Sequence, residues 1–172
     1  MIIGCRDVKR GQDAADQLNK DKRVKNNGKV IFKKLDLASF ESIRKFVKEI
    51  NNEEELIDML INNAGVMLAP KETRTKEGFE MHFGVNHLGH FLLTMLLLDK
   101  LKQAKSITRI INVSSSLYFA GTIQFDDINM DHNFDKTRAY GQSKLANILF
   151  TRELAKRTKG TNIRAYSLHP GN

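Results

Sequence analysis

Tyr140 and Lys144 lie four residues apart in the stretch AYGQSKLAN, residues 139–147, near the start of a predicted helix. Four residues is just over one helical turn, so the phenol and the ammonium share one face of that helix. One interpretation is a surface pair that does no chemistry. The other is a general acid, a phenol whose ionised form is stabilised by the neighbouring cation. The spacing leaves both open.

Short β-branched runs alternate with longer segments of helical periodicity, which predicts an α/β fold with a parallel sheet. The predicted strands are Met1–Cys5, Lys29–Leu35, Leu56–Ile61, Thr108–Val113 and Asn162–Leu168. The predicted helices are Val8–Leu18, Phe40–Ile50, Gly78–Leu101 and Thr137–Arg157. The strands are apolar on both sides, as expected when helices cover both faces of a sheet. No repeat or linker is found, so residues 1–172 are interpreted as one domain.

Small or polar residues follow each predicted strand. Asn62-Asn63-Ala64-Gly65 follow the third strand, Ser114-Ser115-Ser116 the fourth and His169-Pro170-Gly171 the fifth. In an open parallel sheet, ligands bind beyond the carboxyl ends of the strands. The sequence therefore predicts one ligand-binding site, at the edge of the sheet where the carboxyl ends of the strands meet.

Composition narrows the classes of function. The net charge is +8, but the basic residues are scattered and their densest cluster, Lys20 to Lys29, lacks aromatic residues, so we expect no nucleic-acid binding. The lone Cys5 indicates a reducing intracellular compartment. No apolar run is long enough to span a membrane. His82, His87 and His90 lack the spacing of metal ligands, so no metal site is expected.

Five motifs, in order, resemble those of the short-chain dehydrogenase/reductases. They are NNAG at 62–65, VN at 85–86, NVSS at 112–115, YGQSK at 140–144 and PG at 170–171. Other stretches resemble the retinol dehydrogenase-like branch: GCRD at 4–7, LDL at 35–37, NHLGHFLLT at 86–94 and SKLANILFTREL at 143–154. The resemblance covers nearly the whole chain and implies a Rossmann-like, doubly wound parallel sheet.

The resemblance implies an oxidoreductase that interconverts a hydrophobic alcohol, retinoid or lipid-like, and its aldehyde or ketone by hydride transfer. Tyr140 would transfer the proton, and Lys144 would favour its phenolate and hold the nicotinamide ribose. Ser115 would hydrogen-bond the substrate oxygen. Asn86 would hold a water that connects Lys144 to solvent. From the residues alone, Asn86 could instead be a helix-surface amide, and Ser115 a strand-end cap.

The same resemblance implies the residues that bind the cofactor. In NAD-preferring relatives an acidic residue ends the corresponding strand, whereas here Cys5 stands there, followed by Arg6. A guanidinium in place of a carboxylate favours a 2′-phosphate, hence NADP over NAD, unless Arg6 pairs with Asp7. Asp36 would accept a hydrogen bond from the adenine amine, and the Leu37 backbone would lie beside the ring. The remaining predicted cofactor contacts are Asn63, Ala64, Gly65, Tyr140, Lys144, Pro170 and Gly171.

Two features of the family are missing from the sequence. The glycine-rich TGxxxGIG turn and its strand would precede Met1, and the substrate lid and last strand would follow Asn172. In the doubly wound order that first strand is central, so the strands beside it are expected to face a gap. We therefore expect a truncated enzyme or, alternatively, a non-catalytic fragment or interaction module that no longer binds dinucleotide. Its expected properties include homo-oligomerisation and, in a full-length parent, association with the endoplasmic reticulum or a mitochondrion.

Overall fold

The computed structural model describes residues 1–21 and 28–171, in which strands and helices alternate. The strands are β1 (Ile2–Cys5), β2 (Ile31–Lys34), β3 (Met59–Asn62), β4 (Thr108–Val113) and β5 (Ile163–Leu168). The α-helices are α1 (Val8–Lys20), α2 (Phe40–Glu53), α3 (His90–Lys102) and α4 (Lys136–Arg157). A π-helical segment, Phe83–Gly89, precedes α3, and a 3₁₀-helix, Ser116–Ala120, follows β4. Most of the basic cluster Lys20 to Lys29 lies outside the described residues.

The five strands form two parallel sheets. One contains β1 and β2, with Ile2 opposite Ile31, and the other contains β3, β4 and β5 in that order. No strand among residues 1–21 and 28–171 joins the two sheets. The α/β fold and the expected gap at the centre of the doubly wound order are therefore confirmed.

Helices α2, α3 and α4 enclose the apolar core. On α3 the buried residues Leu93, Leu97 and Leu101 recur every four positions, which puts them on one face, against Ile110 of β4. Burying a leucine or isoleucine side chain contributes about 1.5–3 kcal/mol, so this stripe fixes the helix on the sheet. Ile163 of β5 belongs to the same core.

Only one face of the three-stranded sheet is well covered, so the prediction of strands buried on both faces is wrong for this part of the described chain. Asn62 and Ile110 face α3 and α4 and are 2% and 0% exposed. Met59, Ile61 and Tyr166 occupy the alternate positions and are 46%, 55% and 49% exposed. The apolar composition of a strand does not reveal whether a helix covers it.

The helix predicted over Gly78–Leu101 begins later and is irregular. Gly78 adopts a φ of 87° in the turn before the helix. The Glu80 carboxylate accepts hydrogen bonds from the backbone N–H groups of His82 (2.9 Å) and Phe83 (2.7 Å), which caps the first turn. The chain then passes through the π-helical segment, which contains Asn86, before α3 begins at His90.

Side-chain caps fix the other helix starts. The carboxylate of Asp7 accepts from the N–H of Arg10 at the start of α1, and that of Asp135 from the N–H of Arg138 at the start of α4. The Asp135 cap places Tyr140 in the second turn of α4. Within the described ranges, Arg6 forms no ion pair with Asp7, and no helix has the length and apolar character needed to cross a membrane.

Candidate active site

A cleft of about 350 Å³ opens at the carboxyl edge of the three-stranded sheet. Three of the predicted catalytic side chains line it: Ser115, Tyr140 and Lys144. Of the predicted cofactor residues, Tyr140 and Lys144 are among these three, and four more line the cleft: Asn63, Gly65, Pro170 and Gly171. The structure therefore gathers at one edge residues that lie far apart in the sequence, from Asn63 to Gly171.

Lys144 lies behind the ring of Tyr140. It is only 4% exposed, and its Nζ lies 5.5 Å from the centroid of the Tyr140 ring. Nζ donates a hydrogen bond to the carbonyl of Val113 (3.0 Å), and no carboxylate of the described chain pairs with it. Burial lowers the pKa of Lys144. The surface-pair interpretation is therefore wrong, and a buried cation beside a cleft is characteristic of functional sites.

Ser115 occupies the corner between β4 and the 3₁₀-helix. Its Oγ accepts a hydrogen bond from the N–H of Leu117 (3.3 Å), so it does cap the following turn. In the described residues its hydroxyl proton has no acceptor, which leaves it free to donate into the cleft. The neighbouring Ser114 donates to the carbonyl of Lys144 (2.9 Å) and fastens α4 to the end of β4. Ser115 can therefore be a cap and a ligand donor at once.

Asn86 is fully buried and does not line the cleft. Its Oδ1 accepts from the N–H of Val66 (2.8 Å), and its Nδ2 donates to the carbonyl of Val66 and to Oγ of Ser143, both at 3.0 Å. The interpretation as a helix-surface amide is wrong. A Cβ added to Gly65 would lie 3.2 Å from Oδ1 of Asn86 and 3.6 Å from Nζ of Lys144. Glycine at 65 thus keeps open the space in front of both groups.

A ladder of buried amides and hydroxyls behind the cleft was not predicted from the sequence. Asn62 Nδ2 donates to Oδ1 of Asn112 (2.7 Å), and Asn112 Nδ2 donates to Oγ1 of Thr151 (2.8 Å). Thr151 donates in turn to the carbonyl of Asn147 (2.7 Å). The available signal was an asparagine at the end of each of two predicted strands, at positions that the structure pairs, Asn62 opposite Asn112.

Two histidines, His87 and His90, pack around Asn86 and its partner Asn147. The carbonyl of Asn86 accepts from Nδ1 of His90 and from Nδ2 of Asn147, both at 3.0 Å, and Nδ1 of His87 lies 3.2 Å from Oδ1 of Asn147. Burial lowers the pKa of His90 to about 4 and also lowers the pKa of His87, so both rings are neutral at physiological pH. Over residues 1–21 and 28–171, no group of three or more metal-binding side chains is close enough to hold an ion.

Four predicted cofactor residues lie outside the cleft: Arg6, Asp36, Leu37 and Ala64. Arg6 is exposed just beyond β1. The Asp36 carboxylate accepts a hydrogen bond from the N–H of Ala38 (3.0 Å), which uses part of its acceptor capacity. Leu37 is buried, and its carbonyl would lie 2.6 Å from a Cβ on Gly89. The contacts of these four residues with a cofactor remain predictions.

A family model described as short chain dehydrogenase matches residues 2–172. The chain belongs to the short-chain dehydrogenase family. It is 50% identical with human retinol dehydrogenase 14 and 50% identical with mouse retinol dehydrogenase 12, each over 99% of this chain. The predicted retinol dehydrogenase-like branch is confirmed. This short-chain dehydrogenase spans about half the length of those relatives, 53% and 52% respectively.

Solved structures agree with this assignment. A crystal structure of an uncharacterized protein from Mycobacterium paratuberculosis has a TM-score of 0.84 and 39% identity, covering 99% of this chain and 58% of that one. Pseudomonas aeruginosa RhlG, solved as an active-site complex with NADP, has a TM-score of 0.75 and 26% identity, with 99% and 62% covered. The Rossmann-like fold of this short-chain dehydrogenase is confirmed.

The residues of the cleft fit the nicotinamide-ribose end of the dinucleotide used by the family. Gly65 leaves a space that a Cβ would narrow, and Lys144 presents a buried cation to it. Ribose hydroxyls can accept from an ammonium and donate to backbone carbonyls, both of which are present at this edge.

Proposed function

We propose that this chain supplies the catalytic residues of an NADP-dependent oxidoreductase that interconverts a hydrophobic alcohol and its aldehyde or ketone. One observation carries the proposal: Ser115 and Tyr140 line the same cleft, and the buried ammonium of Lys144 lies behind the Tyr140 ring with no carboxylate partner among the described residues. This arrangement provides a hydroxyl donor, a transferable proton and a fixed positive charge around one reacting oxygen.

Each group has one task in carbonyl reduction. NADPH, when bound, supplies the hydride. Ser115 donates a hydrogen bond to the carbonyl oxygen and stabilises the negative charge that develops there. Tyr140 gives its phenolic proton to that oxygen, which leaves the alcohol and a phenolate. Lys144 stabilises the phenolate electrostatically, and in alcohol oxidation Tyr140 takes the proton back.

Asn86 is proposed to support proton return to Tyr140. Its side chain holds the Val66 backbone and its carbonyl accepts two side-chain hydrogen bonds, so its position is fixed on several sides. In the proposed mechanism a water next to Asn86 connects Lys144 to solvent. Because His90 is neutral, it places no second positive charge near Lys144. A protonated His90 would repel the ammonium and disfavour its charged form.

The preference for NADP is proposed from Arg6. This guanidinium is exposed at the carboxyl end of β1 and makes no hydrogen bond or ion pair within the described parts of the chain. It is therefore available for a phosphate, which guanidinium groups bind in bidentate fashion. The similarity to RhlG, solved with NADP, supports the same choice.

The substrate is proposed to be apolar, retinoid or lipid-like. Val66, Met67 and Val113 contribute apolar surface to the cleft. The names of the relatives, retinol dehydrogenases 14 and 12, support a retinoid. Homo-oligomerisation and the cellular compartment of the protein remain predictions.

The test uses a chimera in which this chain replaces the matching segment of human retinol dehydrogenase 14. We expect the chimera to reduce retinaldehyde with NADPH. Tyr140→Phe should abolish this activity, whereas Tyr166→Phe, on β5, should leave it unchanged. A chimera that melts cooperatively and binds NADPH but reduces neither retinaldehyde nor short aldehydes would contradict the proposal.

The alternative, a fragment that no longer binds dinucleotide, is favoured by the gap between β1 and β3 in the described structure. For the 172-residue chain by itself we therefore expect no measurable NADPH binding by calorimetric titration and a broad thermal transition. Micromolar binding with a sharp transition would show that the two sheets close without a further strand.

A further inference from the structure

Two exposed apolar side chains follow one another in the segment after β3, and the first of them belongs to the lining of the cleft. Met67 lines the cleft and is 54% exposed, and the adjacent Leu68 is 51% exposed. Leu68 has a φ of 60°, in the left-handed region that residues with a Cβ rarely adopt. We call this pair the apolar lip. Strain of this kind persists only where surrounding contacts enforce it.

Those contacts come from one face of the helix beneath the lip. Asn86 makes two hydrogen bonds to the backbone of Val66, and Nε2 of His82 accepts from the N–H of Ala69 (3.0 Å). His82 and Asn86 are four residues apart, about one turn. The segment Val66–Ala69 is thus held at both ends, and its two central side chains remain exposed between them.

Glu80 determines which nitrogen of His82 faces the lip. Because a backbone N–H can only donate, Nε2 of His82 must be the unprotonated nitrogen, and the ring proton lies on Nδ1. Nδ1 is 2.5 Å from Oε1 of Glu80, which accepts this proton's hydrogen bond. Glu80 and His82 are 1% and 0% exposed. Burial by itself would raise the pKa of Glu80, but hydrogen bonds from His82 and Phe83 hold it below its ordinary value.

His82 also touches the catalytic side of the cleft. Its ring stands edge-on to that of Tyr140, with centroids 6.2 Å apart and an interplanar angle of 81°. One buried imidazole therefore contacts both the backbone that carries the lip and the ring proposed to transfer the proton. This places the lip and the phenol at a fixed separation.

We propose that Met67 and Leu68 receive the hydrocarbon part of the substrate and that His82 is a positioning residue that fixes this lip through Ala69. The inference rests on the proposed function and identifies the part of the cleft that selects apolar substrates. Glu80 supports His82 in turn, because its hydrogen bond to Nδ1 keeps the ring proton there and leaves Nε2 available as an acceptor.

The lip is tested with butanal and decanal as substrates of the chimera. Each methylene buried against the lip should raise kcat/KM about fourfold. Leu68→Gly removes the side chain, while glycine adopts the left-handed backbone without strain. We expect it to lower the decanal-to-butanal ratio of kcat/KM about tenfold, through KM for decanal. Leu149→Ala, an exposed leucine on α4, is the matched control and should leave the ratio unchanged.

The positioning role is tested by hydrogen exchange and by rescue. His82→Leu removes the acceptor, so the Ala69 amide should lose its protection and the substrate ratio should fall as in Leu68→Gly. His82→Gln places an amide oxygen near the position of Nε2 and should restore both readouts. A residue with only a general packing role would not discriminate between leucine and glutamine in this way.

The outcomes separate the two proposals. A chimera that reduces butanal and decanal equally well, or a Leu68→Gly variant that keeps the full ratio, overturns the lip while the proposed function stands. If hydrogen exchange of the Ala69 amide is unchanged in His82→Leu, the positioning role of His82 is overturned. A folded chimera that binds NADPH but reduces neither of these two aldehydes nor retinaldehyde overturns the proposed function, and the lip with it.

Discussion

The backbone of Gly141 packs directly against that of Gly121. A Cβ on Gly141 would lie 2.9 Å from the nitrogen of Gly121 and 2.7 Å from the carbonyl oxygen of Leu117. Distances this short do not occur for a real Cβ, so no other residue allows α4 to approach the 3₁₀-helix so closely. This contact lies one residue after Tyr140 and brings the phenol beside the corner that holds Ser115.

We expect Gly141→Ala to destabilise the protein. In an open helix this change stabilises by about 0.5–1 kcal/mol, because glycine has the greater backbone entropy. Here the added methyl meets backbone atoms, and overpacking costs about 1–3 kcal/mol. Urea unfolding of the chimera measures the change, with the exposed Arg138→Ala in the same helix as control. A gain in stability for Gly141→Ala would contradict the close packing.

Tyr140→Phe should abolish turnover and leave NADPH binding nearly intact. Phenylalanine keeps the ring and removes only the transferable proton, and general acid–base catalysis contributes about 10²–10⁴-fold. Steady-state rates and calorimetric titration of the chimera give the two quantities. Retention of most of the rate would exclude Tyr140 as the proton donor.

Arg6→Ala should weaken NADPH binding far more than NADH binding. Only NADPH carries the 2′-phosphate, and a charge-assisted hydrogen bond contributes about 1.5–3 kcal/mol, so the preference should fall about tenfold or more. Arg152→Ala, on the exposed side of α4, serves as the control. Equal weakening of both cofactors would remove the basis for proposing NADP.

Lys144→Met should raise stability while abolishing activity. Burial lowers the pKa of Lys144, so the unfolded chain binds the proton more tightly than the folded one. Stability should therefore rise with pH from the lowered pKa up to the ordinary lysine value of 10.5, and methionine should remove that rise. At pH 7 we expect a gain on the order of 1 kcal/mol, with Lys48→Met on the surface of α2 as control. A clear loss of stability in Lys144→Met would contradict this prediction.

Acid should destabilise the protein through His90. Its pKa is about 4 in the folded chain and has the ordinary histidine value of 6.5 in the unfolded chain, which therefore binds more protons between these values. Stability is then fully present above pH 6.5 and falls as the pH drops towards 4, by roughly 3 kcal/mol. His87 adds a loss of the same sign. His90→Asn keeps a donor for Asn86 and should flatten this dependence in urea titrations, whereas the exposed His132→Asn should not.

The sequence predicted the order of strands and helices because hydrophobic periodicity is local. It also predicted that Ser115, Tyr140 and Lys144 belong to one site, because the motifs around them are distinctive, and the structure brings the three to one cleft. It did not predict the role of His82, whose donor, the Ala69 amide, is brought to it only by the folded path of the chain. The exposure of Met59 and Ile61 was missed for a related reason, since coverage of a strand depends on elements far away in the sequence.

The ladder from Asn62 through Asn112 to Thr151 has a consequence for folding. Side chains alternate along a strand, so a slip of β3 by one residue would turn Asn62 to the opposite face and bring Ile61 against the ladder. The misaligned chain would leave the buried Oδ1 of Asn112 without its donor, at a cost of about 1–3 kcal/mol. Pairing in the wrong register is thereby penalised, and the native alignment of β3 with β4, which the cleft requires, is favoured.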